Sequence, residues 1–230
     1  MSKVVHPYSH RLVTLRDWKS RWFGDKNYKN LLGSDIVIRE FLAKRLRGFY
    51  VSRVEIERNA KATKVTIYTS RPGMIIGRSG EGVAKLKSEL IDVLKKRKIL
   101  VSEEFKLDIV EVPNPDADAS IVACSIAEGL EKRLPFRRVM KQAIEKVMSA
   151  RGVKGARIYL SGRLSGAEIA RGEQIKRGSI PLQTFRADVD FAREKAHMSY
   201  GDIGIKVWIY RGEIFLSDNG SASLNSKVNK

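Results

Sequence analysis

Arg71-Pro72-Gly73-Met74-Ile75-Ile76-Gly77-Arg78-Ser79-Gly80-Glu81-Gly82 is the stretch on which the reading of this chain turns. It holds a G-x-x-G tetrapeptide, Gly77, Arg78, Ser79 and Gly80, between an apolar turn and an amphipathic helical pattern. Glycine lets a backbone approach phosphate with no Cβ in the way. The free N–H groups at the start of the next helix are oriented for an anion. Arg78 adds a positive charge at the tip. The bland alternative is a glycine-rich turn between two helices, and the flanks decide between the two.

Upstream, residues 51–58 and 64–70 alternate apolar and polar positions, as half-buried strands do. The five residues between them fit a hairpin connection. Residues 35–47 carry Ile36, Ile38, Phe41, Leu42 and Leu46 near helical spacing. Downstream, Val83, Leu86, Leu90, Ile91 and Leu94 predict a helix, and Phe105, Leu107, Ile109 and Val112 a closing strand. Helix, strand, strand, short helix, G-x-x-G, helix, strand is the order of a type II KH domain. In such domains the loop clamps about four backbone nucleotides. The expectation is therefore a single-stranded RNA or DNA clamp at Gly77, Arg78, Ser79 and Gly80.

The chain of 230 residues has room for one large or two small domains, and 43% hydrophobic residues support a packed core. Lys and Arg outnumber Asp and Glu by 44 to 26, a net charge of +18 that attracts polyanions. No apolar run approaches the ~20 residues that span a bilayer, and the N-terminal residues carry no signal-peptide pattern. The lone cysteine, Cys124, excludes an internal disulfide, and its apolar helical setting predicts a packed thiol rather than a nucleophile.

The fold expected is α+β: a type II KH domain followed by a second α+β domain of two helices packed on an antiparallel sheet. Residues 1–16 read as a basic, irregular N-terminal arm and 17–112 as the KH RNA-binding domain. Trp18 and Trp22 would share a helical face there, packing onto the KH helices or stacking on bases. Residues 113–117, with two prolines, form the linker, and Asp116 or Asp118 is placed to cap the next helix. Residues 118–216 form the C-terminal domain. Its helices are expected at 119–133 and 137–150, broken at Pro135, and its strands at 156–161, 182–194 and 204–210. Residues 217–230 are polar and aperiodic and read as a disordered tail.

Two basic regions stand out in the second domain. Arg137, Arg138 and Lys141 lie within one helical turn, where like charges repel by a few tenths of a kcal/mol each, about 0.2–0.5. A bound phosphate backbone would compensate, and Lys132 and Arg133 extend the patch. A solvated helix face is the alternative. The segment 161–178 spaces Arg163, Arg171, Lys176 and Arg177 among glycines and small residues. An extended, partly irregular segment of that kind suits packing into folded RNA; otherwise it is a flexible surface loop.

Catalytic patterns are missing. His6, His10 and His197 are scattered, and Pro7 argues against a helix that would bring His6 and His10 together. Asp188 and Asp190 read as partners of nearby arginines. There is no phosphate-binding G-x-x-x-x-G-K-[ST] loop. Nothing in the sequence asks for a cofactor, a metal or a small-molecule substrate.

The ordered motifs carry a resemblance. They include Val5-His6-Pro7 with Arg11-Leu12, Trp22-Phe23, the 51–58 strand, the Arg71 to Gly80 clamp and Phe136-Arg137-Arg138-Val139-Met140-Lys141. They continue with Ser161-Gly162-Arg163-Leu164-Ser165-Gly166-Ala167-Glu168-Ile169-Ala170-Arg171, Arg186-Ala187-Asp188-Val189-Asp190 and Gly204-Ile205-Lys206-Val207-Trp208-Ile209. Over nearly residues 1–216 the chain resembles the bacterial small-subunit ribosomal protein S-three family. The run 172–178 and Gln183 depart from the family pattern. The resemblance implies a non-enzymatic, cytoplasmic, ribosome-bound protein of the small-subunit head. It implies contacts with ribosomal RNA, with neighbouring head proteins and with mRNA at the channel where message enters, but none with membrane. The family's channel cations fall on Arg137, Arg138 and Lys141. A free KH-type RNA chaperone or regulator outside the ribosome is the alternative; a nucleic-acid enzyme lacks an arranged site, and a membrane-surface protein does not explain the glycine clamp.

Overall fold

The computed structural model describes residues 6–24, 27–59, 62–97, 99 and 104–215. The expected disordered tail lies outside them. The first unit runs β1 (Ser20–Arg21), α2 (Tyr28–Arg45), β2 (Val51–Arg58), β3 (Ala62–Thr69), α3 (Pro72–Ile76), a 3-10 turn at Arg78–Gly80, α4 (Glu81–Lys96) and β4 (Glu104–Glu111). A short helix, α1 (Pro7–His10), precedes it. The sheet order is β1-β2-β3-β4, with β2 and β3 antiparallel and β4 parallel to β3. Ile56, Val65 and Ile67 are fully buried against Leu86, Leu90 and Leu94, the i, i+4, i+8 stripe of α4.

The second unit has α5 (Ala119–Glu131) and α6 (Phe136–Ser149) on one face of an antiparallel sheet. Its strands are β5 (Gly155–Gly162), β6 (Arg171–Gly178), β7 (Ala187–Met198) and β8 (Gly201–Glu213), in the order β6-β5-β8-β7. The architecture is α+β, with the helix-facing core built from Ile126, Met140, Ile144, Ile158, Leu160, Val207 and Ile209. Asp118 caps α5, accepting from the amides of Ser120 and Ile121 at 2.9 and 3.2 Å. The two units meet where Ser52 donates to Asp118, Tyr50 donates to Glu128, and Arg47 pairs with Glu131 at 2.5 Å.

Five local expectations are corrected, three of them in the first unit and the arm. Residues 20–21 form a strand parallel to β2, not a helix through Trp18 and Trp22. Ile56 N–H donates to Lys19 O at 2.9 Å, and Arg39 donates to Lys19 O and to Ser20 Oγ. These bonds outweigh a helix too short to nucleate. Trp18 is 58% exposed, while the Trp22 indole donates to Asp35 at 2.9 Å. The arm is helical at Pro7–His10 despite Pro7, because proline is favoured at a first helical position, where no amide is needed. Helix α2 starts seven residues earlier than expected, at Tyr28. It can bury Asp35 because Arg58 meets that carboxylate at 2.6 Å.

The largest correction is β6. Residues 171–178 are neither irregular nor a loop; all eight pair with β5, from Gly162↔Arg171 to Gly155↔Gly178. Ile175 is the strand's single apolar side chain, so no hydrophobic alternation announces it. Its glycines are required by close approach. A Cβ on Gly172 would sit 2.4 Å from Tyr159 Oη, and one on Gly178 would sit 2.3 Å from Lys154 O. Strand β7 begins at Ala187, not 182, because the carbonyls of Pro181, Leu182 and Thr184 accept hydrogen bonds from Arg11 rather than from a neighbouring strand.

Candidate nucleic-acid interface

The clamp is built by three backbone conformations that few side chains tolerate. Gly77 ends α3 at φ 69°, ψ −171°; Ser79 sits at φ 52° and Gly80 at φ 80°. Gly77 N–H still donates to Gly73 O at 3.0 Å, so the turn is tied to α3 before the chain reverses. Helix α4 then starts at Glu81 with no side-chain cap on its first-turn amides. Those N–H groups and the positive end of the helix macrodipole face the loop. Gly77, Arg78 and Ser79 are exposed, and Met74 and Ile76 present apolar surface beside them. The sequence reading gave Gly82 no role, yet it is the tightest point. A Cβ there would stand 2.3 Å from Ile75 O and 2.8 Å from Ile76 O. Its signal was the G-x-G spacing that follows the tetrapeptide, Gly80-Glu81-Gly82.

On α6, Arg137 and Arg138 occupy the first turn, where the helix macrodipole is itself positive, and no acidic residue shares that turn. Both are exposed, as is Lys141. Arg137 is not free. Its Nε and Nη2 each stand 3.3 Å from a carboxylate oxygen of Glu173 on β6, which raises the guanidinium's pKa. Sequence reasoning missed Glu173 because only the β5–β6 pairing brings it near α6. Arg138, Lys141 and Arg133 make no ion pair among the described residues. Lys132 pairs with Glu128 one turn earlier at 2.5 Å, and with Tyr50 it holds that carboxyl below its usual range.

The remaining expected RNA contacts separate. Arg163 is half-buried and turned inward, donating to Ala167 O at 2.9 Å and to Tyr200 O at 3.4 Å. Arg171 lies 3.6 Å from Glu173, and Arg177 3.4 Å from Glu145. Those two therefore lie toward the α6 side of the sheet. Lys176 lies on the opposite side, without an ion pair among the described residues. The described residues hold no cluster of His, Cys, Asp or Glu fit for a metal ion. None of their helices is long and apolar enough to cross a membrane.

Comparison with known proteins bears on both units. A family model described as KH domain matches residues 37–117, and one described as ribosomal protein S3, C-terminal domain, matches residues 126–209. A Clostridium botulinum protein named small ribosomal subunit protein uS3 is 47% identical over 215 residues, covering 93% of each chain. Proteins of the same name from Listeria welshimeri and Listeria monocytogenes are 47% identical over 214 residues, covering 93% of this chain and 94% of theirs.

Proposed function

The chain belongs to the small ribosomal subunit protein uS3 family, a structural, non-enzymatic component of the ribosome, and from that premise we propose that it binds ribosomal RNA and guides mRNA. Its place is the head of the small subunit, beside other head proteins. The G-x-x-G loop grips single-stranded RNA through backbone amides. Arg138 and Lys141, with Arg137, Lys132 and Arg133 around them, line the channel where message enters. Arg171, Lys176 and Arg177 are ribosomal RNA contacts, and Arg163 supports them by holding its loop in shape. In this reading residues 17–112 and 118–216 are the two RNA-binding domains, joined by 113–117 and flanked by an arm and a tail.

The observation that carries this reading is the clamp. Three unusual backbone conformations within four residues, at Gly77, Ser79 and Gly80, present an exposed, uncapped helix start beside a cationic tip. Close backbone approaches at Gly77 and Gly82 hold the turn tight and leave Arg78 and Ser79 exposed at its tip. Phosphate neutralisation supplies affinity, and loop shape supplies placement.

Sucrose-gradient sedimentation of a lysate at moderate salt tests the ribosomal placement. Near-complete co-migration with small subunits and full ribosomes is expected; a dominant slow-sedimenting pool would support the free RNA-binding alternative instead.

A further inference from the structure

The C-terminal sheet has a second face, opposite α5 and α6. Side chains alternate along a strand, so residues between the core positions Ile158, Leu160, Ile205 and Val207 point away from the helices. The register lines them up in rows across all four strands. Lys176, Arg157, Trp208 and Phe191 form one row. Gln174, Tyr159, Lys206 and Arg193 form the next, and Gly172, Ser161, Gly204 and Lys195 the third. These three rows hold five cations and no carboxylate. Asp202 comes one position further, at the β7–β8 hairpin, 2.6 Å from His197 and 4.0 Å from Lys195 Nζ, so four of the five cations have no carboxylate partner among the described residues.

The arrangement is costly for an isolated protein. Arg157 is directly opposite Lys176, and Arg193 directly opposite Lys206; like charges so paired across strands destabilise a sheet. Rings beneath support the cations. The Arg157 guanidinium lies 4.9 Å from the Trp208 ring centre, and Lys206 Nζ 5.8 Å from that of Tyr159. Two ring faces are thus taken by the protein's own cations, so bases cannot stack there and the face offers charge instead. The third row is small apart from Lys195, and the Tyr159 ring reaches over Gly172, where a Cβ would stand 2.4 Å from its Oη. The far end is closed, where Ile180 and Leu182 pack on Trp208 and Tyr210, and His6 meets Phe191 edge-on at 4.8 Å.

The geometry points to this face as a docking surface for the sugar-phosphate backbone of a helical ribosomal RNA segment, distinct from the clamp and from α6. The inference rests on the RNA-binding reading above. Three adjacent rows of cations with no carboxylate among them complement a duplex backbone read by shape. An unstructured strand would gain nothing from ring faces already covered.

The test uses the full chain with two probes, a transcript of small-subunit ribosomal RNA and poly(U), in filter binding over a salt series. The triple variant Lys176→Gln, Arg193→Gln, Lys206→Gln is expected to lower the salt slope on the transcript by about 2 and leave poly(U) unchanged. Thermal unfolding checks that the variant is folded. Amine acylation of the unsubstituted protein gives an answer independent of folding: Lys176, Lys195 and Lys206 should be protected by the transcript. Wild-type slope in the triple variant, with Arg138→Ala still lowering it, would overturn the docking surface while sparing the RNA reading. Absence of salt-dependent binding by the unsubstituted protein would remove the RNA reading itself. Equal loss on poly(U) would overturn the assignment to helical RNA. Lysine protection by subunit proteins but not by RNA would make the face a protein interface and overturn the proposal.

Discussion

Arg137 and Glu173, 36 residues apart in sequence, close the gap between α6 and the edge strand β6 with a forked ion pair, both N···O distances 3.3 Å. The same carboxylate lies 3.6 Å from Arg171. Of Arg137, Arg138 and Lys141, one is thus already partnered, while Arg138 and Lys141 meet the solvent unopposed. An exposed pair of this kind contributes little to stability. In the proposed reading, its effect is on how many charges are available to an incoming phosphate.

Unequal roles follow for the three. Arg138→Ala and Lys141→Ala should each lower the salt slope of single-stranded RNA binding by about 0.7. Glu173→Gln should steepen it by up to about the same amount, by releasing Arg137. A variant lacking Glu173 that binds with wild-type slope would mean the pair opens on binding without resistance, contrary to this ranking.

Fold and binding can be separated in the clamp. Gly82→Ala pushes a Cβ into two backbone carbonyls that end α3, and should cost about 1–3 kcal/mol of KH-domain stability in urea unfolding. Arg78→Asp with Ser79→Asp alters only exposed positions, and Asp tolerates the left-handed backbone at 79. That double variant should unfold like the wild type and bind short single-stranded RNA at least about tenfold more weakly, a loss of roughly 1.4 kcal/mol. Undiminished binding would exclude the loop from the contact.

What the sequence made legible was local. The G-x-x-G run, the α4 stripe and the Asp118 cap each declare themselves within a few residues, and each stands in the structure. Strand β6 did not, because it is held by pairing with β5 along its whole length, leaving almost no hydrophobic pattern of its own. Glu173 and the inward turn of Arg163 were hidden for the same reason: their partners are set by strand register, not by spacing. Pro7 and the Trp18–Trp22 spacing misled because a first-turn proline and a two-residue edge strand reverse the usual local preference.

Arg11 ties the arm to the second domain. Its guanidinium is fully buried and donates to the carbonyls of Pro7, Pro181, Leu182, Thr184 and Ala187, with Nε 2.6 Å from Ala187 O. Lysine cannot reproduce that planar fork. Arg11→Lys should destabilise the C-terminal domain by about 2–4 kcal/mol, since buried carbonyls lose their donors. Hydrogen exchange should rise at residues 6–16 and 181–187 together. A rise confined to the arm would show that the loop holds itself.

Cys124 lines a cleft of about 720 Å³ between the two units, together with Tyr50, Glu128 and Glu194. Burial, aided by Glu194 and Asp118, pushes its thiol up to about 12. Thiolate is the reactive form, so at pH 8 an aromatic disulfide reagent should modify the native protein at least about a hundredfold more slowly than the urea-unfolded chain. Comparable rates would mean that the cleft opens readily and the two units part in solution.

Asp118 sits where linker, KH sheet and C-terminal domain meet. Burial raises its carboxyl pKa and the Asp190 charge raises it further, against the hydrogen bonds from Ser52 and Ile121 and the Arg211 charge. A carboxyl raised in the folded state binds its proton more tightly there than in the unfolded chain. Its contribution to stability is therefore present below the unfolded pKa and is lost as pH rises through the folded one. Asp118→Asn retains a capping side chain but cannot titrate. Relative to wild type, the variant should gain stability as pH climbs from the ordinary carboxylate range through the raised pKa, then hold a constant difference. Urea unfolding at a series of pH values reads this directly. A variant that instead loses ground as pH rises would show that Arg211 and the α5 amides outweigh burial, reversing the sign assigned to this junction.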